Sequence, residues 1–478
     1  MSQAAPLEFQ SVQETRSQLR FRVASILGGT VFLSLLSLIV LTAIPYGTSQ
    51  PWWIAAFAAA VFALAILWLV EGYLSQSWFG GTLPLVFPLA ALAVFALFQT
   101  FTFIKPISNP AGIRFPMWNA ISADPYQTRL FVLWIMALTL AGVMLARHAG
   151  TEKRLRIVIN VIVCVAVASA IFGILRQTTQ HEAGFGLPLL SQGSGYGQFI
   201  NYNHFAYLME MAFGLILGLV LAGGVKREQG LIYFAALLPL WTGLVLCGSR
   251  GGLIAMMAQV LVAALLFSGG VRKGNVSESH SRVLDIARSV PVRVTLIVVL
   301  VLGVAIGTLW LGGDQLAMRI EQSRNELNAD TTNARLGVSR NEIWKATWKM
   351  FRAHPVLGVG MNGYWAAIPK FHDASGTMMP QEAHNDYLEL LASGGLVGIA
   401  IFVWFVVVVL KRTRANLASP SRFRRAASYG ATIGITGVAV HSLLDFGLHT
   451  IVNALVFTTL IVIATSKPRW ENGSHRIA

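Results

Sequence analysis

Apolar runs long enough to cross a bilayer recur along most of this chain, and that recurrence leaves it few folds. Taking stretches of about 17 to 22 apolar residues as spans, twelve are expected, near 23–44, 52–70, 83–101, 127–146, 157–175, 204–222, 231–248, 251–268, 294–311, 396–410, 427–446 and 450–466. A bilayer offers no partner to an unpaired backbone group, so each run must close its own hydrogen bonds as a helix. The expected fold is an all-α polytopic membrane protein of about 12 transmembrane helices. Composition agrees: 55% of the residues are hydrophobic and 12% are charged, against about 25% charged in soluble domains.

The net charge of +15 would suggest a nucleic-acid partner for a soluble chain; here its distribution has a topological reading, and no nucleic acid is expected. With the N-terminus in the cytoplasm, 23 of the 36 basic residues fall on cytoplasmic segments, in groups such as Arg147, Lys153, Arg154 and Arg156 or Lys411, Arg412 and Arg414. That register satisfies the positive-inside rule, with residues 1–22 and 467–478 as cytoplasmic tails. The first run carries the basic flank of a signal peptide but is too long for an h-region and lacks a small-residue cleavage site, so it is read as a retained span. Cys164 and Cys247 lie inside spans as small hydrophobes and offer neither a disulfide framework nor a thiolate metal site.

One long polar segment breaks the pattern. Residues 312–395 separate spans 1–9 (23–311) from spans 10–12 (396–466), a connection of roughly 80 residues where 4 to 6 is usual, and loops that long are functional or disordered. Its Trp residues and helix formers predict a partly helical, folded loop on the non-cytoplasmic face. The GSRGG turn at 248–252, the loop at 176–203 and the turn after Asp445 emerge on that same face. A site assembled there has no access to cytosolic ATP or nucleotide sugars, so its substrate arrives already activated.

Several residues on that face suit such a substrate. Arg250 stands between two spans with Gly248, Gly251 and Gly252 around it; it either snorkels to the headgroups or offers a planar guanidinium to a phosphate or pyrophosphate. Arg340 opens RNEIWKATWKMF, where Ile343, Trp344, Thr347, Trp348 and Phe351 recur on one helical face and Pro355 ends the run, as in an interfacial helix that would place Arg340 at the membrane surface. His384 is a candidate base for a hydroxyl, with Glu382 or Asp386 to orient it and Asn385 beside it. Asn201, Asn203 and His204 open a span and either meet sugar hydroxyls or, for Asn203, cap the helix. His441, Asp445 and His449 recur every four residues, as if along one helical face, and are read as supporting hydrogen-bond partners rather than metal ligands. No Walker A run, Rossmann fingerprint or Asp-x-Asp pair is present, and the first outer loop, PYGTSQP, has no acid.

These pieces resemble the O-antigen ligase and polymerase superfamily of bacterial envelopes. The resemblance rests on SRGG at 249–252, Arg340-x₃-Trp344, HPVLGVGMNGYW at 354–365, HNDYL at 384–388 with GGLVG after it, and NYNHFA at 201–206. It implies a glycosyltransferase of the inner membrane that takes a glycan from undecaprenyl pyrophosphate at the periplasmic face, needing no cofactor and no metal. By that resemblance Arg250 and Arg340 bind the pyrophosphate, and His384 lies near the acceptor hydroxyl. Asn201, Asn203, His204 and Asn385 are expected at the substrate, with Glu382, Asp386 and Asp445 behind them. A ligase, with lipid A core as acceptor, is the first expectation and a polymerase joining lipid-linked repeat units the second. A transporter of lipid-linked sugars is the alternative of another class, though no pair of related halves with broken spans is visible.

Overall fold

The structure is a computed structural model, which describes residues 7–44, 46, 50–76, 81–102, 120–179, 190, 195–269, 340–372 and 380–466. The expected span at 294–311, the linker before it and the first part of the polar loop lie outside the described residues. Within them the chain is helical: α1 (Leu7–Ala43), α2 (Pro51–Ser75), α3 (Leu83–Gln99), α4 (Pro125–His148), α5 (Glu152–Thr179), α6 (Tyr202–Leu221), α7 (Arg227–Leu246), α8 (Arg250–Gly269), α9 (Arg340–Ala353), α10 (Tyr364–Ala367), α11 (Asp386–Leu417), α12 (Arg422–His441) and α13 (Ile451–Thr465). Eight of these are long and apolar enough to cross a membrane; α3 and α13 are shorter apolar helices.

The helix α6 is the centre. Its apolar window is 89% buried, as expected of a helix that is hydrophobic all round. Against it lies α12, and the contact is backbone to backbone. A Cβ on Gly214 would sit 2.5 Å from the Gly434 nitrogen, and one on Gly218 would sit 2.2 Å from that of Gly430. Small residues let two helices approach this closely where lipid gives no hydrophobic drive to do so. Gln259 of α8 locks the crossing, its buried amide donating to the Glu210 carbonyl at 2.8 Å and the Ile433 carbonyl at 3.3 Å.

A second device positions the polar segment. At Gly395 the backbone of α11 turns to φ 59°, ψ −160°, a break that only glycine adopts readily. The open backbone groups there are satisfied by HPVLGVG: Val359 and Gly360 N–H donate to the Ala392 and Ser393 carbonyls, and Leu396 N–H donates to Pro355 O at 2.9 Å. Buried Gln99 of α3 holds both strands of this contact, donating to Leu357 O at 2.6 Å and Ser393 O at 3.0 Å while accepting from Met361 N–H. The motif at 354–365 is thus a clamp around the kink in α11, tied to α3 and, through Thr128 to Met361 O at 2.6 Å, to α4.

At another end of the bundle, Arg147 of α4 and Glu71 of α2 form a bidentate pair at 2.8 and 2.7 Å. Both side chains are nearly fully buried, which makes the pair costly to break from one side.

Candidate functional site

Asp445 lies where three distant parts of the chain meet. Its position departs from the four-residue spacing of His441, Asp445 and His449, because α12 stops at His441 and Gly447–His449 form a separate 3-10 turn. The three do not share a helical face. The cause is tertiary: the Ser442 carbonyl accepts the Asp386 N–H at 2.9 Å instead of continuing the α12 ladder, and Phe446 N–H turns to Asp445 Oδ1 at 2.9 Å.

The Asp445 side chain is 1% exposed. Oδ2 accepts from the Asn203 amide and faces Arg340 Nη2 at 3.5 Å; Oδ1 faces His384 Nδ1 at 3.6 Å. Burial alone would raise its pKa. His384, with Nδ1 3.6 Å away, the Phe446 amide and the Arg340 charge outweigh it and hold the acid at about 2. Asp445 is therefore a fixed negative charge at the hub of the site.

Each partner is placed for a local reason. His384 has φ +50°, a left-handed conformation costly for a residue with a Cβ. The residues beside it hold it there, with Ala383 N–H donating to Glu389 Oε2 at 2.8 Å and Asn385 Oδ1 accepting from Leu388 N–H at 3.0 Å as the N-cap of α11. With Nδ1 toward Asp445, Nε2 is the ring nitrogen left for a substrate. Arg340 opens α9, and Trp344 one turn later donates to Ala383 O at 3.0 Å, tying α9 to the residue before His384. The inward face of α9 is Ile343, Ala346, Thr347 and Met350, whereas Trp348 is 49% exposed, so the expected stripe is rotated toward the smaller residues. Asn201, not Asn203, caps α6 by accepting Asn203 N–H at 2.8 Å, which frees the Asn203 amide for Asp445. Phe446 is ringed edge-on by His384, His204 and His449 at 4.8, 5.1 and 5.5 Å.

Arg250 begins α8 beside buried Ser249, which accepts Gly252 N–H at 3.1 Å. The Ser249 hydroxyl is 3.5 Å from His441 Nε2, and His441 Nδ1 is 3.1 Å from Glu210 Oε2. This chain brings the start of α8 to the end of α12, four residues before Asp445. Asn203, Tyr207 and Glu210 recur at i, i+4 and i+7 along α6; Tyr207 stacks on His441 at 4.1 Å. Sequence reasoning missed Glu210, although an acid alone in an apolar run is itself a signal.

Among the described residues, Glu382, Glu389 and His449 are the group whose ligand atoms all lie within 4.8 Å of one another. There the imidazole faces carboxylates with both nitrogens, so it is the imidazole that brings positive charge to them.

The assembled geometry offers a buried carboxylate facing an imidazole through one oxygen and a guanidinium through the other. That set suits activation of a hydroxyl next to an anionic leaving group. Residues 234–403 match the family model described as O-Antigen ligase, a stretch that includes Arg250, Arg340 and His384. No curated protein matches the chain.

Proposed function

We propose, with the O-antigen ligase match over residues 234–403 as premise, that this multi-pass protein is a glycosyltransferase of the bacterial inner membrane. It moves a glycan from undecaprenyl pyrophosphate to a hydroxyl of lipid A core at the periplasmic face, without metal or nucleotide. The observation that carries this reading is the convergence of Arg340, His384 and Asn203 on buried Asp445.

In the reaction so drawn, His384 Nε2 takes the proton of the acceptor hydroxyl while its Nδ1–H points to Asp445. The acceptor oxygen bonds to the anomeric carbon as the carbon–oxygen bond to the diphosphate breaks. Undecaprenyl diphosphate leaves with the electron pair, its charge met by Arg340 and by Arg250 at the start of α8. Donors fixed in advance where charge develops usually contribute most of the rate enhancement in such catalysis. A single displacement inverts the anomeric centre.

The test is transfer by the purified full-length protein in nanodiscs, with undecaprenyl-diphosphate glycan and lipid A core as substrates and EDTA present. Glycan on lipid A core is expected, lost by about 10²-fold or more in His384→Ala and in Arg340→Ala. A ladder on the lipid carrier would make the protein a polymerase. Donor crossing the bilayer with no new glycosidic bond would make it a transporter, and product of unchanged anomeric configuration would refute the single displacement.

A further inference from the structure

Behind His384 lies a cluster the proposed reaction does not use. His449 Nδ1 is 3.5 Å from Glu382 Oε1, and its Nε2 is 3.6 Å from Asp386 Oδ1 and 4.0 Å from Glu389 Oε1. A neutral imidazole can donate from one nitrogen only, whereas an imidazolium donates from both. Two of the three acids stand two residues before and two residues after His384 in the chain, and the third, Glu389, receives the Ala383 N–H. The strained residue is therefore held from both sides through one ring.

We propose that His449 is a positioning residue: a cationic imidazole that ties Glu382 and Asp386 together and so keeps His384 in the left-handed conformation that turns its Nδ1 to Asp445. The acids facing it are Glu382 from the segment before α11 and Asp386 and Glu389 from α11; His204 of α6 stands across Phe446 from the ring. Charge balance supports the arrangement. Burial of the ring disfavours its charge, but Glu382, then Glu389 and Asp386, override it and raise the His449 pKa to about 10. In return the imidazolium outweighs the burial of Glu382 and lowers its pKa.

The inference rests on His384 serving the transfer, and the experiment separates the two. In the full chain in nanodiscs, kcat and the donor KM would be measured for His449→Gln alone, for His449→Gln with Glu389→Gln, and for His384→Ala. Hydrogen exchange of the 380–388 backbone would be followed in the same samples. His449→Gln leaves three acids facing one another with no cation. It should lower kcat about 10-fold to 100-fold, as loss of an orienting partner does, with donor KM little changed and faster exchange at 380–388. Burial and the Glu382 charge push the Glu389 carboxyl well above the usual range, so adding Glu389→Gln fixes a neutral acceptor for Ala383 N–H beside Glu382 and should recover part of both. In the unsubstituted protein the protection factors of the same amides, taken against the base-catalysed intrinsic rate at each pH, should fall only as pH passes about 10.

Wild-type kcat and exchange in His449→Gln, or no recovery in the double variant, would overturn the inference while leaving His384 in place. If His384→Ala remains active and His449→Gln still loses protection, the positioning role toward catalysis fails together with the proposed base. Loss of protection on adding EDTA, restored by Mn²⁺ or Zn²⁺, would also overturn it by making the cluster a metal site.

Discussion

The strongest demand on the site falls on Asp445, and Asp445→Asn tests it with little change in volume. In the native protein the carboxyl is held from 3.8 down to about 2, a depression worth about 2 kcal/mol in favour of the folded, ionised state. A carboxyl whose folded pKa lies below its unfolded value lends that stability above the unfolded value and loses it as pH falls toward the folded one. The contribution is thus complete above about pH 4, halved near pH 3 and gone below about pH 2. Asparagine keeps an acceptor for Phe446 N–H but carries no charge toward Arg340 and His384. Unfolding by SDS in mixed micelles, compared at pH 7 and pH 3, should show Asp445→Asn less stable by about 2 kcal/mol at the higher pH, with the gap near half that at the lower. Transfer at pH 7 should fall about 10-fold to 100-fold, a part of what a general base supplies. Equal stability at pH 7, or a gap that does not shrink at pH 3, would refute the assignment of Asp445 as the charged hub.

Two further substitutions test the frame. Arg147→Met leaves Glu71 buried and unpaired, and unfolding should show a loss of about 3 to 5 kcal/mol, most of it regained when Glu71→Met is added. Gly395→Ala would place a Cβ 2.4 Å from Val356 O at φ +59°, so it should unseat residues 355–360 and expose them to limited proteolysis. Gly394→Ala, whose Cβ meets nothing nearer than 3.4 Å, should not.

Much of this arrangement is legible in the residues themselves. Hydropathy marks the helices, because a bilayer permits little else. The Gly-Gly pair at 394 and 395 marks the break in α11, since only glycine accepts that backbone at low cost. Arg340 and His384 stand out as charge at an interface. What the residues do not carry are the contacts that choose between equivalent local patterns. The spacing of His441, Asp445 and His449 fits one helix perfectly well; what ends α12 is a carbonyl captured by Asp386, more than fifty residues earlier. Gln99 looks like an ordinary polar residue at a helix end until residues 357, 361 and 393 are brought around it. Glu210 and His449 have the opposite fault: each gives a visible signal, but neither the partner nor the direction of its side chain follows from local period.

The crossing of α6 and α12 has a consequence for how turnover proceeds. Machines that alternate between inward and outward states tilt one bundle against another, so the elements flanking their cargo must part and rejoin. Here the helix bearing Asn203 and the helix that runs up to Asp445 meet at Gly214, Gly218, Gly430 and Gly434 with no side chains to serve as bearings. They form a single strut. In the reaction proposed above, the parts left to shift are the substrate and the segments around it, while the carboxylate's mounting stays still.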